Sequence, residues 1–447
     1  MHDRFSNNNS WSSAISKALV TTCFVLVFAV SARATDLHVP SASYPTIGDA
    51  VAAASAGDRI LVAHGVYQEN VVSTVANLQF IGRGAIWDGT LTNGTAGVCL
   101  TASGGGTLVQ GFAFRAGQGG TAQVQLTGDD CRVIKCSSRG PSARFLLING
   151  NSAVVDSCSL FAVNSTAIQI TGDRALVQKI KARQCDDNVV QVNGHFATVM
   201  RCSMILNEDS YSISITGSNA VVALNKFVDC DEIIRIVGDN AVVENNKALH
   251  TSDIEVQGDN LTIRKNSMTS APDDNTGIFA RSRTGAGGGV IEDNKIKDVT
   301  QAGLDIGCHN VAVRRNAVTG AGTESNESGC RVSGNFNTLS DNKIVGGGTH
   351  GFDVSGATNT LARCTAVDAA ADGFHVSGNG NTLMDCSATL CTGEGLDNGG
   401  TGTTVLGCKF MRNRIDVAND GTFVNDATFA ADNVFSTGGT TQPPQVD

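Results

Sequence analysis

Glycine returns along this chain at a nearly constant step. Gly128, Gly150, Gly172, Gly194, Gly217, Gly238 and Gly258 follow one another at 22, 22, 22, 23, 21 and 20 residues, and Gly334, Gly356, Gly378 and Gly400 resume at 22 after an interruption. Eight residues after nearly every one stands Cys or Asn: Cys136, Cys158, Cys202, Asn225, Asn246, Asn266, then Asn342, Cys364, Cys386 and Cys408. Asn294 and Asn316 carry the series across the interruption, and Ile180 breaks it. Before each Gly the residues alternate, as in Ile168-Gln169-Ile170 and Phe374-His375-Val376, and a second short strand follows it, as in Ala241-Val242-Val243. Two or three short strands per repeat, with no helix between them, exclude leucine-rich and helical repeats. One such coil cannot bury its own apolar side chains, whereas stacked coils bury them jointly. The expected fold is all-β: a right-handed parallel β-helix, a single-stranded solenoid of about 22 residues per coil.

The composition agrees, with 51 Gly, 6 Pro and 5% aromatic residues, which suits short strands and tight turns more than a compact α/β enzyme. An inward Asn at a bend can bond the backbone and its copies one coil away. A Cys there is a small buried filler. Rungs about 4.8 Å apart do not forbid disulfides, but parallel stacking points both side chains the same way, so free thiols are expected. No CxxC pair or His cluster in the sequence marks a metal site.

The N-terminus reads as an export signal over residues 1–34. Arg4 and Lys17 precede the apolar run Ala18 to Val30, and Ala32-Arg33-Ala34 fits a small-x-small cleavage site. The mature chain, beginning near Thr35, is expected to be a secreted monomer, extracellular or periplasmic, with no membrane span. Its β-helix domain is placed at 35–436, with an N-terminal cap at about 44–57, where Thr46 and Asp49 form a capping-box pattern opening a short helix, and a disordered tail at 437–447. Arg59 to Ala63 reads as the first strand. Without the leader, 29 basic face 41 acidic residues, which disfavours nucleic acid and anionic membrane as general partners but leaves room for an acidic polysaccharide met by local Arg, Lys or a bound cation.

Tyr44-Pro45-Thr46-Ile47, then Ala56-Gly57-Asp58-Arg59-Ile60-Leu61-Val62 and Gly65-Val66-Tyr67-Gln68-Glu69-Asn70-Val71, resembles the entry segment of the pectin-lyase-like superfamily. Residues 35–435 resemble its generic coils. The resemblance implies the parallel β-helix and a range of roles: polysaccharide lyases, glycoside hydrolases, pectin methylesterases, uronan epimerases and non-catalytic adhesins. The methylesterase and polygalacturonase motif sets are absent. Gly351-Phe352-Asp353 resembles the start of the epimerase GFDPH motif, with Val354-Ser355 in place of Pro-His.

The residue three before each repeat Gly lies between inward neighbours and so faces outward. Early coils supply Gln125, Leu147, Gln169, Gln191, Ser214, Arg235 and Glu255; later coils supply Asp305, Arg331, Asp353, His375 and Asp397. Three residues earlier runs a companion series of Ser328, His350, Asp372 and Glu394. Charged ladders on a solenoid can be merely solvated. Here the charge concentrates in a few coils, and extra residues around Ser270–Gly289 and Gly320–Gly329 flank it, as insertions that wall a binding face do. Arg281 and Arg283 in the first of these loops can meet an anionic sugar.

The leading expectation is a carbohydrate-active protein that binds an extended, possibly acidic polysaccharide on the face carrying residues 305–397 and cleaves it. Asp353, His375 and Asp397 are the candidate catalytic residues. Arg331, Asp305, His350, Asp372, Glu394 and Arg281 are the candidate substrate contacts. Hydrolysis would use Asp353 and Asp397 with His375 between them. Elimination would use Arg or His as base, with Arg331 or a cation such as calcium neutralising a uronate. The sequence leaves the need for calcium open. The rival expectation is a non-catalytic scaffold, adhesin or polysaccharide-binding solenoid.

Overall fold

The computed structural model describes residues 34–90, 97–115, 122–142, 144–207, 210–251, 253–269, 276–322, 327–424 and 428–435. The expected export leader up to Arg33 and the tail from Thr437 lie outside the described residues, as do 270–275 and 323–326 of the two insertions. The rest is a parallel β-solenoid. Successive coils of about 22 residues contribute three short strands, each pairing with its copy one coil before and after.

Three long sheets result. The first has 17 strands and begins at Asp36–Val39; the second begins at Gly65–Gln68; the third has 16 strands and begins at Val71–Ser73. Register follows the sequence period, so Leu146 stacks on Ile168 and Ile168 on Val190. Alternate residues point inward, and each lands on an apolar residue of the next coil. The core is therefore one continuous column of Val, Ile, Leu, Phe and Cys from end to end.

The first strand lies earlier than the sequence reading put it. Asp36–Val39 pairs in register with Arg59–Val62 and turns Leu37 and Val39 inward. Four residues alone carry too little alternation to be recognised as a strand. The helix Ile47–Ala53 covers this end. Thr46 and Asp49 form the capping box, with the Asp49 amide donating to Thr46 Oγ1 at 3.0 Å. Glu69 accepts from the two further amides of that first turn, Ile47 at 3.0 Å and Gly48 at 2.9 Å. All four orphan donors of a helix start need such partners.

Between the first and second sheets runs a buried ladder of side-chain amides. Each amide oxygen accepts from the backbone N–H one coil before, and the Nδ2 donates to the next oxygen in the series. Asn246 N donates to Asn266 Oδ1 at 3.0 Å, Asn266 Nδ2 to Asn294 Oδ1 at 3.0 Å, and Asn294 Nδ2 to Asn316 Oδ1 at 2.9 Å. The residue just before each rung takes a left-handed backbone, as Arg201 at φ 56° and Lys265 at φ 55° do. That conformation costs a side-chain-bearing residue on the order of 1 kcal/mol, and the ladder hydrogen bonds offset it. Cys364, Cys386 and Cys408 continue the column, and Asn433 closes it by accepting from Cys408 N at 2.9 Å. All thirteen cysteines among the described residues are buried free thiols. Asn337, Asn359 and Asn381 make a shorter ladder between the third and first sheets.

Replacing Asn266 with Ala strands the Asn246 amide and the Val243 carbonyl, both buried. The expected loss is about 2–4 kcal/mol in chemical denaturation. Cys202→Ala, which removes only a filler thiol, is expected to cost clearly less in the same assay.

Candidate functional site

Strand register in the third sheet assembles the outward column. Glu255 pairs with Phe279, Phe279 with Asp305, Asp305 with Arg331, Arg331 with Asp353, Asp353 with His375, and His375 with Asp397. Asp305, Arg331, Asp353, His375 and Asp397 therefore occupy consecutive rungs. The sequence reading passed over Phe279, because its coil carries no repeat Gly at the usual place.

The companion series sits just before the strands. Gly329 N donates to the His350 carbonyl, Gly351 N to that of Asp372, and Gly373 N to that of Glu394, each at 2.8 Å, so these residues stack coil on coil. A glycine column lies immediately after them: Gly329, Gly351, Gly373 and Gly395. A Cβ on Gly373 would stand 2.3 Å from the Ala388 Cβ, and one on Gly351 2.7 Å from the Ala366 Cβ. Earlier coils fill this position with larger residues such as Phe145, Val189 and Ile233. The change to glycine was legible in the sequence and accompanies the coils that gather the titratable groups.

Those groups touch. His375 Nδ1 lies 2.9 Å from Asp397 Oδ2 in a hydrogen bond. The His350 ring stacks on that of His375, centroids 4.6 Å apart at 15°. His350 Nδ1 lies 2.9 Å from Asp372 Oδ2, a close polar contact outside hydrogen-bond alignment. Asp372 Oδ1 accepts from the Glu394 amide at 2.7 Å, and Arg414 holds Glu394 Oε1 at 2.7 Å. His350, Asp372, His375, Glu394 and Asp397 form one contiguous network on three coils, half-buried at its base and open outward.

The network separates its protonation states. Contact with the Asp372 carboxyl, then burial, pushes Glu394 up to about 7. Burial would raise Asp372 too, but the His350 imidazole and the Glu394 groups outweigh it and hold Asp372 well below the usual carboxylate range. The Asp397 hydrogen bond raises His375 against the opposing effect of burial. A raised imidazole pKa means that the pair stabilises the fold fully below the free His value of about 6.5 and loses that contribution as pH climbs through the raised value.

His350, Asp372 and His375 each bring a ligand atom within 4.8 Å of the others. Two imidazoles and one carboxylate suit a transition ion better than calcium, which takes oxygen ligands. The sequence reading found no His cluster because His350 and His375 lie 25 residues apart; the coil register stacks them on adjacent coils, beside Asp372 and Asp397.

Arg281 and Asp305 stand apart. Arg281 ends the strand Ile278–Arg281 rather than lying in a loop, and it clamps Asp305 with two bonds, 2.9 and 2.7 Å, while its guanidinium sits 4.1 Å from the Phe279 ring centroid. The alternation Ile278-Phe279-Ala280 signals this strand, which the insertion beside it obscured. Further along, Tyr211 donates to Glu255 at 2.6 Å, Arg235 meets the same carboxylate at 3.1 Å, and burial pushes Asp253 up to about 7. The sequence reading placed Glu255 and Arg235 on the column but did not foresee this second cluster. His195 and His309 accept backbone amides at turns, and His250 pairs with Asp229.

Residues 252–415 match the family described as right handed beta helix region. No curated protein matches the chain. Among solved structures, it is similar to a PL6 alginate lyase complexed with a trisaccharide, at 12% identity and TM-score 0.43, over 80% of this chain and 86% of that one. It is also similar to the catalytic domain of a GH87 alpha-1,3-glucanase with nigerose (8%, TM-score 0.33, 90% and 68%). A third is the A-module of an Azotobacter vinelandii mannuronan C-5 epimerase (12%, TM-score 0.30, 89% and 94%). At these identities no residue role passes from them to this chain.

Asp397→Asn removes the anion that raises His375. In an NMR titration the His375 pKa is expected to fall relative to the parent; an unchanged value would show that the contact does not set it.

Proposed function

We propose that this chain, a parallel β-helix whose entry segment resembles the pectin-lyase-like superfamily, is a carbohydrate-active enzyme that binds an extended polysaccharide along the third sheet and cleaves it beside residues 350–397. The observation that carries the reading is the contiguous network of His350, Asp372, His375, Glu394 and Asp397, with Asp353 and Arg331 on the next rungs of the same face.

Hydrolysis is the favoured chemistry. Two acids whose environments drive their pKa values apart let one fold hold a proton donor beside an anion at neutral pH. Glu394, pushed up to about 7, is assigned the proton that goes to the departing glycosidic oxygen. Asp353 is assigned the water that attacks from the other side of the sugar. His375, held by Asp397, stands between the two acidic arms and passes protons or fixes charge. Glu394 sits on the same coil as Asp397, two rungs from Asp353 and so about 9–10 Å away along the solenoid axis at ordinary strand spacing, and side-chain direction would have to bring the donor and Asp353 to the roughly 6.5–9.5 Å of inverting glycosidases. Arg331, next on the column, is assigned a substrate carboxylate or hydroxyl. The closed Arg281–Asp305 pair, with Arg281 lying over Phe279, stands two to three rungs away on the same face.

Arg331 and His375 on one column also favour a second reading, elimination from a uronate polymer, with the same groups neutralising the carboxylate and taking the neighbouring proton. Export to the extracellular space or periplasm fits both readings.

The test is reducing-end release from pectic, alginate, glucan and glycosaminoglycan polymers, with and without calcium. Release is expected from the parent and not from Asp353→Asn/His375→Ala, and ultraviolet absorbance of the products separates elimination from hydrolysis. Silence across the panel would transfer the chain to the scaffold reading. The donor must be protonated, so the rate is expected to fall as pH rises through about 7. Glu394→Gln is expected to abolish that limb and lower turnover roughly 100-fold or more.

A further inference from the structure

The second sheet carries a feature that the cleavage site does not use. Its outward column at the first strand position runs Lys181, Ser203, Lys226, Lys247, Ser267, Lys295, Ala317 and Lys343 on consecutive rungs, with Lys409 three rungs further. All six lysines of the column are exposed. Lys226 and Lys247 are direct register partners, a placement that like charges disfavour.

Five arginines elsewhere in the solenoid are treated differently. Arg264 pairs with Glu244, Arg314 with Glu292, Arg315 with Asp293, Arg363 with Asp341, and Arg414 with Glu394, all at 2.7 or 2.8 Å. Among the described residues, none of the six column lysines has a carboxylate in ion-pair range. A chain with net charge −10 thus keeps one stacked file of cations free of its own acids.

Two residues further along the same strands is a parallel file of Phe161, Arg183, Ile205, Val228 and Leu249. Phe161 is 46% and Leu249 43% exposed. Where the files begin, Phe161, Lys181, Arg183, Ser203 and Ile205 line a depression of about 320 Å³. The face therefore offers positive charge and apolar surface side by side, repeated every rung or two, about 5–10 Å.

We propose that this face is a second binding site, distinct from the cleavage face, for a linear acidic polysaccharide lying along the solenoid axis. Carboxylates or sulfates of the polymer meet Lys181, Arg183, Lys226, Lys247 and Lys295, and the C–H faces of its sugars lie on Phe161, Ile205, Val228 and Leu249. Charge complementarity selects the occupant, and the straight, evenly spaced file suits a repeating polymer better than a compact partner. The inference does not depend on cleavage.

The experiment is binding of the purified chain to polygalacturonate over a range of salt, with uncharged dextran, phosphatidylglycerol vesicles and single-stranded DNA in parallel. The parent and Asp353→Asn/His375→Ala are expected to bind polygalacturonate alike, more weakly as salt rises, and to ignore dextran. Lys181→Glu/Lys226→Glu/Lys247→Glu is expected to lose about tenfold or more in affinity, with an unchanged melting profile and unchanged cleavage of short oligosaccharides. Absent binding by the parent, parent-like binding by the triple variant, or preference for vesicles or DNA would overturn the proposal. Lysine-dependent binding without release of reducing ends would instead sink the cleavage reading and leave this one standing.

Discussion

Everything in this molecule depends on parallel register between consecutive coils. A coil of three short strands has no partner for its backbone except the coils above and below, so each residue must lie over its counterpart one period away. Once register holds, like stacks on like. Inward aliphatics become a core, buried amides become a ladder, and outward residues become files along the axis. The Asn ladder locks the register from inside, because each rung satisfies the backbone of the coil before it and shifts by one residue would leave buried amides unpaired.

The same stacking that makes the fold also makes a site cheaply. Two coils need differ only at outward positions for an imidazole to lie over a carboxylate, as His375 does over Asp397. The cost is electrostatic: like charges also stack. The coils answer it by alternating sign, by hydrogen bonding, and by displacing pKa values, so that Glu394 keeps a proton where Asp372 does not. The glycines that follow His350, Asp372 and Glu394 leave no room for a Cβ, so their coils turn tightly into the third sheet at the network's base.

Charge is distributed unevenly around the solenoid. Several arginines on the first sheet and its turns, such as Arg264, Arg314 and Arg363, are matched by acids on adjacent coils, whereas the six column lysines of the second sheet are not. Arginine suits the first task because its planar fork bonds a carboxylate at two points, and lysine suits the second because a hydrated, mobile ammonium can follow a ligand that differs from rung to rung. A solenoid presents several independent faces, and here two of them have acquired different electrostatic characters.

By itself the sequence determined the coil, because a 22-residue period of Gly, Cys and Asn admits only stacked short strands, and it determined which residues share a file, because register is set by the same period. It also exposed the Thr46–Asp49 helix cap and the column from Asp305 to Asp397. It could not place the strand Asp36–Val39, whose alternation is only four residues long, nor the coil of Phe279 and Arg281, whose insertion broke the counting. Only the tertiary structure decided which neighbours in a file bond: that Arg281 is spent on Asp305, that His375 turns to Asp397, and that the column lysines stand without acids. Those choices depend on side-chain direction and on distances of a few ångströms between coils, which periodicity along the chain does not encode.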